Sequence, residues 1–367
     1  MKKEHVFAIV SIVLLFIALE TITLVTGKII LNYSSGGIFY DPGKLDYDDY
    51  VNRIRPDLNP RLGWPVVGSA PMLFGGKDSS TVSISLYGDS FTNSTSNEEL
   101  DKWSKKAADQ LEANIINYGV GGYGTDQAYL RYKFNELDSS DVVVINHFVG
   151  DLTRNLMQRF FNNYCDFKPQ LTLADDKLIY TPPLDLSSRE EFDQYANDPG
   201  DVFKDDWLAP GNKYGPTIFT FPYTFSLIEA LLSENIKGKL DISSIEGEEA
   251  YRRFYKMDYP INLTTKILSE FCYLAKERGQ KPLVMFMPAR GDFKYFSEYG
   301  VWEHQVIIDH LRKKGIQVLD FSPELFSRHK SSNMYEDLYD KTLHFNPVGE
   351  QLCADIFTDY MRVNFMP

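Results

Sequence analysis

Cysteine is scarce in this chain. The three that occur, Cys165, Cys272 and Cys353, are too few and too scattered for a disulfide framework. No Cys-x-x-Cys pair is formed, so zinc ligation and thioredoxin-like chemistry have no support, and the odd count leaves at least one thiol free. Buried, inert thiols are expected. Basic residues are also in deficit: 38 Lys and Arg stand against 51 Asp and Glu, a net charge of −13. No nucleic-acid partner is expected, because phosphate binding needs a basic face and no Lys/Arg stripe is present. Metal-ligand spacings, internal repeats and low-complexity tracts are absent, so neither a metal nor another cofactor is expected.

What is present is an ordinary globular composition, 43% hydrophobic and 24% charged, able to bury a full core. The 23 Tyr and 25 Phe fit core filling first and a sugar- or acyl-binding groove second. One long apolar run stands apart. It extends from Val6 to Leu19 with only Ser11 as a break, meets Glu20, and continues through Ile22, Leu24 and Val25 to Gly27 and Lys28. As a helix, Val6 to Thr26 would measure roughly 30 Å, about one hydrocarbon thickness. Glu20 lies near the far end, where a carboxylate can reach the interface. Lys2 and Lys3 favour a cytoplasmic N-terminus, so residues 1–28 are expected to form a single-pass membrane anchor with the rest outside the cytoplasm, periplasmic or on the cell surface. A cleaved signal ending near Val25-Thr26-Gly27 is the competing reading and a buried helix the third.

Residues 29–78 are rich in Pro, Gly, Asp and Tyr without periodicity, and are expected to be an irregular lead-in lying across the domain. From residue 79 to 367, short apolar strands alternate with helical stretches. The expected strands are Thr81–Tyr87, Ile115–Tyr118, Asp141–His147, Pro282–Met287 and Ile316–Phe321. Helices are expected at Glu98–Ala113, Thr125–Leu137, Leu263–Arg278, Trp302–Lys314 and Pro347–Tyr360. This alternation predicts an α/β fold, a doubly wound parallel sheet of five strands with helices on both faces and functional residues at the strands' C-terminal ends. Residues 156–245 break the rhythm. They are expected to be one insertion over the top of the sheet, with a hairpin of Gln170–Leu173 and Lys177–Tyr180 around Asp175 and Asp176.

Gly88-Asp89-Ser90 follows the first of these strands directly. A serine there is lifted at the strand's edge with its N–H at the start of a helix, as suits a nucleophile whose oxyanion needs a donor; a helix cap is the plain alternative. Near the other end, Asp340-Lys341-Thr342-Leu343-His344-Phe345-Asn346-Pro347 sets a histidine just before a proline-started helix. Histidine is the usual base for a serine hydroxyl, with an upstream carboxylate to fix its tautomer. The third element, Gly119-Val120-Gly121-Gly122-Tyr123-Gly124, satisfies a dinucleotide-binding pattern. It follows the second strand rather than the first, and the next strand ends in Asn146-His147 with no acid for a ribose. A turn presenting a second oxyanion donor beside Ser90 explains more.

These three elements in this order resemble the SGNH/GDSL hydrolase family from about residue 81 to 364, the insertion excepted, and the lead-in through Leu62-Gly63-Trp64 resembles membrane-tethered bacterial members. The resemblance implies a flavodoxin-like three-layer fold with Ser90 as nucleophile, the N–H groups of Ser90 and Gly122 in the oxyanion hole, and His344 as base. Two positions depart from the family. Its Gly-x-Asn-Asp block, whose Asn is an oxyanion donor, has Gly150 in the Asn position; Asn155 is placed in that role, with Asn146 and Asp151 as alternatives. The family's Asp three residues before the His is Lys341 here. Asp340, four before, is taken as the orienting carboxylate, with Asp337 or a Ser–His dyad as alternatives. The function implied is an extracytoplasmic serine esterase or O-acyltransferase acting on an O-acyl or O-acetyl ester of an envelope glycan or lipid. The other reading is a non-catalytic relative that binds glycan or serves in assembly.

Overall fold

The computed structural model describes residues 3–33, 37–64, 70–75, 81–94, 99–160, 165–236, 251–329 and 334–366. They fall into two compact units. One comprises Met1–Pro56, Met157–Cys165 and Leu184–Ser244, the other Asp57–Leu156, Asp166–Pro183 and Ile245–Pro367. The segment 156–245, expected as a single insertion, is thus divided between them. Met1, Lys2, Glu98, lead-in residues 34–36, 65–69 and 76–78, and insertion residues 161–164 and 237–245 lie outside the described residues.

The larger unit is built on a six-stranded sheet. Its strands are β1 (Met72–Phe74), β2 (Ser83–Tyr87), β3 (Asn114–Asn117), β4 (Val142–Phe148), β5 (Lys281–Met287) and β6 (Val318–Asp320), in the order β6-β5-β4-β2-β3-β1. All neighbours are parallel except β1, which runs antiparallel to β3 with Met72 opposite Asn117. The five expected strands are all present. The sixth comes from the lead-in, where three residues at a sheet edge are too short to leave a periodic signal. β4 lies between β2 and β5, and its Val142–Ile145 run is buried, as a parallel strand covered on both faces requires.

Alternate residues face opposite layers. Ile84, Leu86, Val142, Val144, Leu283 and Met285 join one apolar core with Trp103 and Ala107 of the helix Trp103–Leu111 and Phe357 and Met361 of the closing helix Pro347–Asn364. On the other face Tyr87 meets Tyr132 of the helix Thr125–Phe134, which packs on Phe271 of the helix Asp258–Glu277. The hairpin forms between Gln170–Ala174 and Lys177–Thr181. Its turn residues Asp175 and Asp176 have φ of 49° and 56°, the paired left-handed conformation that two-residue hairpin turns need. The chain order reverses between β2 and β4, which opens a crevice outside the C-terminal ends of these strands.

The smaller unit carries the helix Lys3–Tyr33, of which Lys3–Leu31 is long and apolar enough to cross a membrane. Two short strands, Phe39–Tyr40 and Thr217–Ile218, pair in parallel, and a ten-residue apolar helix follows at Tyr223–Leu232.

Candidate active site

β2 ends at Tyr87, and the chain turns through Gly88 and Asp89 into the one-turn helix Ser90–Asn93. Asp89 caps this helix, accepting a hydrogen bond from Phe91 N at 2.9 Å. Gly88 admits no side chain, since a Cβ there would lie 2.0 Å from Thr92 Oγ1. Ser90 is consequently the first helical residue, and its N–H has no intrahelical partner to donate to.

His344 is held by different means. Asn346 caps the closing helix by accepting from Val348 N and Gly349 N, and Pro347 starts it. The preceding loop closes on itself through a bridge between Tyr339 and Phe345 and through Asp340 N donating to His344 O at 2.7 Å. Phe91, next to the serine, lies 5.2 Å from the His344 ring and stacks on Phe148 at 4.3 Å. The outcome is a contact of 2.8 Å between His344 Nε2 and Ser90 Oγ, across 254 residues of sequence.

Asp340 does not reach the imidazole ring, and its expected role as direct orienter is corrected here. The extra residue between Asp and His is taken up by Leu343 in a left-handed conformation, φ 66°, which turns the Asp340 carboxylate behind the histidine. There it accepts from Thr342 N at 2.7 Å, Thr342 Oγ1 at 2.6 Å and His344 N at 3.2 Å. Thr342 fills the gap: its Oγ1 lies 3.0 Å from His344 Nδ1. With Nε2 facing the serine as acceptor, Nδ1–H donates to Thr342 Oγ1, which donates to Asp340. Burial pushes the Asp340 carboxyl up, but the hydrogen bonds from Thr342 and His344 and the His344 charge outweigh it, and the net direction is down. Asp337 is turned elsewhere, 3.0 Å from His329 Nε2. Thr342 was missed from sequence although it sits inside the quoted block; a hydroxyl two residues before the histidine was the available signal.

The glycine turn faces Ser90. A Cβ on Gly121 would lie 4.0 Å from Ser90 Cβ, and one on Gly119 would lie 2.6 Å from Asn93 N. Tyr123 N closes the turn on Val120 O at 3.2 Å, with Gly122 at φ 81° and its N–H unused by that bond. Asn117, at the end of β3, ties turn to helix: its amide donates to Thr92 O and Ser104 Oγ while its oxygen accepts from Gly119 N.

The segment after β4 does not place Asn155 as an oxyanion donor, a second correction. Asn155 is fully buried, with Oδ1 accepting from Asp126 N at 3.1 Å and Nδ2 donating to Thr264 Oγ1 at 3.0 Å. Both ends of its amide are spent on joining helices. Asp151, buried, pairs with Arg154 at 2.7 Å. Asn146 lies under Gly88, buried, with no hydrogen bond to its side chain among the described residues. The group that reaches the serine's neighbourhood is Arg154, whose Nη1 donates to Asp89 Oδ2 and Tyr123 O, each at 3.0 Å, and whose guanidinium lies 5.6 Å from the Phe148 ring centre. Burial raises the carboxyls of Asp89 and Asp151, Asp151 the further because the Asp89 charge adds to it, and Arg154 opposes both.

Around Ser90 and His344, Gly121, Gly122, Phe148, Gly150 and Arg154 are partly exposed, leaving an accessible rim. A serine hydroxyl hydrogen-bonded to an imidazole nitrogen, at a helix start and facing a glycine turn, is equipped for acyl transfer. Among the described residues no group of three or more His, Cys, Asp or Glu side chains is placed to hold a metal ion.

No protein-family model and no curated protein matches the sequence. Solved structures do. The chain is similar to a member of the lipolytic protein G-D-S-L family from Veillonella parvula DSM 2008, at 12% identity over 76% of this chain and 97% of that one, with a TM-score of 0.38. It is similar to a catalytic mutant of an acetylxylan esterase from Geobacillus stearothermophilus, at 9% identity over 78% and 95%, with a TM-score of 0.39. It is also similar to LAE5, an alpha/beta hydrolase enzyme from the metagenome of Lake Arreo, Spain, at 10% identity over 78% and 95%, with a TM-score of 0.40.

Proposed function

We propose that this chain, similar to solved GDSL-family structures, is a serine esterase or O-acyltransferase of the SGNH type, anchored by its N-terminal helix and acting outside the cytoplasm on O-acyl esters of an envelope glycan or lipid. The observation that carries the chemistry is the 2.8 Å contact of Ser90 Oγ with His344 Nε2 at the topological switch of the sheet. Ser90 Oγ attacks the acyl carbonyl and His344 Nε2 takes its proton. The imidazolium is steadied through Nδ1–H by Thr342 and, behind it, the Asp340 carboxylate. The developing oxyanion is met by the N–H groups of Ser90 and Gly122. His344 returns the proton to the leaving alkoxide, and water or a sugar hydroxyl, deprotonated in turn by His344, releases the acyl group from Ser90.

The location rests on the membrane-length helix Lys3–Leu31 and the lysines at its start. Envelope esters follow from that address. A fluorophosphonate probe is expected to label the full chain and to fail on Ser90→Ala; equal labelling of the variant would overturn the assignment. The non-catalytic reading draws on the missing side-chain donor after β4. It would be favoured if the chain bound oligosaccharide while neither reacting with the probe nor turning over acyl esters.

A further inference from the structure

Glu20 is the one charged residue within the apolar run, and the smaller unit gives it a partner. Its carboxylate accepts from Tyr223 N at 2.6 Å and Thr224 N at 3.1 Å, the first two N–H groups of the helix Tyr223–Leu232. Phe221, just before this helix, makes an edge contact with Phe16 at 6.4 Å. Phe219 occupies the space over Gly27, where a Cβ would lie 2.1 Å from its ring. Tyr223 and Leu227 join Leu24, Ile30 and Leu31 in one apolar cluster around Phe39, Phe219 and Ala230. The Phe219 and Phe221 rings thus touch the N-terminal helix at the levels of Gly27 and Phe16, and the helix that follows starts beside Glu20 and leads to Asn235, whose side chain donates to Gly37 O.

We infer that residues Phe219–Leu232 form a re-entrant hairpin inserted in the outer leaflet, with acyl chains of the bilayer as the occupant of its exposed face. The inference rests on the reading of Lys3–Leu31 as a membrane anchor. Three further observations carry it. The helix turns Phe225, Ile228 and Leu232, spaced three and four apart, outward together with Leu231 and the loop residue Phe221, each between 47% and 69% exposed. The helix packs beside the membrane-length helix, and Phe225, Ile228 and Leu232 border an open cavity whose other wall is the loop from Gly211 to Thr217.

Second, much of the hairpin's polar backbone is satisfied internally, as hydrocarbon favours. Glu20 takes the N–H groups of Tyr223 and Thr224, Pro222 O takes that of Phe225, and Ser226 Oγ both accepts from Thr220 N and donates to Thr220 O. Third, the charged residue of the helix falls at the right depth. Glu229 lies six residues beyond Tyr223, about 9 Å along the axis. Six residues beyond Glu20 on the neighbouring helix is Thr26, the outer end of the roughly 30 Å apolar span. Glu229 thus emerges at the headgroups while Phe221 and Phe225 lie deeper, and Leu231 and Leu232 fall at the interface.

The test uses the full-length chain in phosphatidylcholine/phosphatidylglycerol liposomes carrying nitroxide-labelled lipid. Single cysteines are introduced as Ile228→Cys or Val25→Cys and labelled with an environment-sensitive fluorophore, the native cysteines being buried. Ile228 and Val25 lie five residues beyond Tyr223 and Glu20 respectively, so equal depth predicts equal quenching at both. Quenching at Val25 with none at Ile228 would overturn the hairpin and leave the anchor standing. Quenching at neither would remove the anchor and the hairpin together. Crosslinking of Ile228→Cys between copies, without lipid quenching, would assign the face to a second chain and overturn the proposal. Glu20→Ala, which strands two N–H groups, is expected to reduce quenching at Ile228 while leaving Val25 unchanged.

Discussion

Thr342 stands between His344 and the carboxylate that the sequence places nearest to it, with Oγ1 3.0 Å from Nδ1 on one side and 2.6 Å from Asp340 on the other. The tautomer of His344 is therefore set by a hydroxyl whose own proton is committed to Asp340. Thr342→Val keeps the shape and removes the link, and a reduction of kcat by about 10- to 100-fold is expected, below the loss of about 10⁴ that follows replacement of a directly bonded Asp. Thr342→Ser should retain activity within about threefold, because the bridging oxygen is restored. Ester hydrolysis followed across pH by both variants checks this; equal rates for Thr342→Val and the wild type would remove Thr342 from the relay.

The oxyanion hole is expected to depend on Gly122 and not on Asn155. Gly122→Ala introduces a Cβ at φ 81° in the turn facing Ser90 and displaces the N–H proposed to meet the oxyanion. The loss should approach that of one oxyanion donor, roughly 10²–10³ in kcat. Asn155→Ala instead strands Asp126 N and Thr264 Oγ1 in the interior, at a cost of about 1–3 kcal/mol of stability. Measured on the folded protein, its kcat should stay within about threefold of wild type. A 10²-fold fall in kcat with unchanged melting temperature would return Asn155 to the hole.

The contrast between these residues marks where sequence reading succeeds. Strands β2, β4 and β5 are short, largely apolar runs, β-branched in β4, and such burial is written into composition; so are the stop at Gly88 and the start at Pro347. Ser90 and His344 were legible because each abuts one of those punctuation points. Thr342, Arg154 and Glu20 were not legible as partners. Thr342 acquires its role from the left-handed turn at Leu343, a backbone state that leucine does not advertise. Arg154 and Asp89 meet across 65 residues, and Glu20 and Tyr223 across 203. Asn155 misled because an amide beside a catalytic segment reads alike whether it points at substrate or ties two helices.

Arg154 is expected to matter first for the shape of the nucleophile turn. Its side chain is 16% exposed, and it compensates two buried carboxylates, Asp89 and Asp151. Arg154→Met leaves Asp89 buried without its cation, a change that typically costs about 3–5 kcal/mol. The double variant Asp89→Asn with Arg154→Met should recover part of this, a coupling of roughly 1–3 kcal/mol in a thermodynamic cycle. Additive losses would show that the pair is not coupled.

Glu350 ties the closing helix to the segment after Ser90, and stability is expected to depend on pH through it. It lies on the closing helix behind His344, accepting from Ser94 Oγ at the end of the nucleophile segment and from Trp103 N, each at 2.6 Å. Burial raises its carboxyl to about 7, against the lowering effects of those hydrogen bonds and of Lys102 and Lys106. Because the folded value lies above the unfolded one, the native state holds a proton that the unfolded chain releases. Its stabilising contribution is full below about pH 4.5 and is lost as pH rises through about 7, by up to roughly 3 kcal/mol. Glu350→Gln mimics the protonated form, its amide oxygen accepting from Trp103 N and its NH₂ donating to Ser94 Oγ. This variant should therefore unfold at higher urea than wild type at pH 8, with the difference closing at pH 5. A wild-type pH slope unaltered by the substitution would show that Glu350 is not the titrating group.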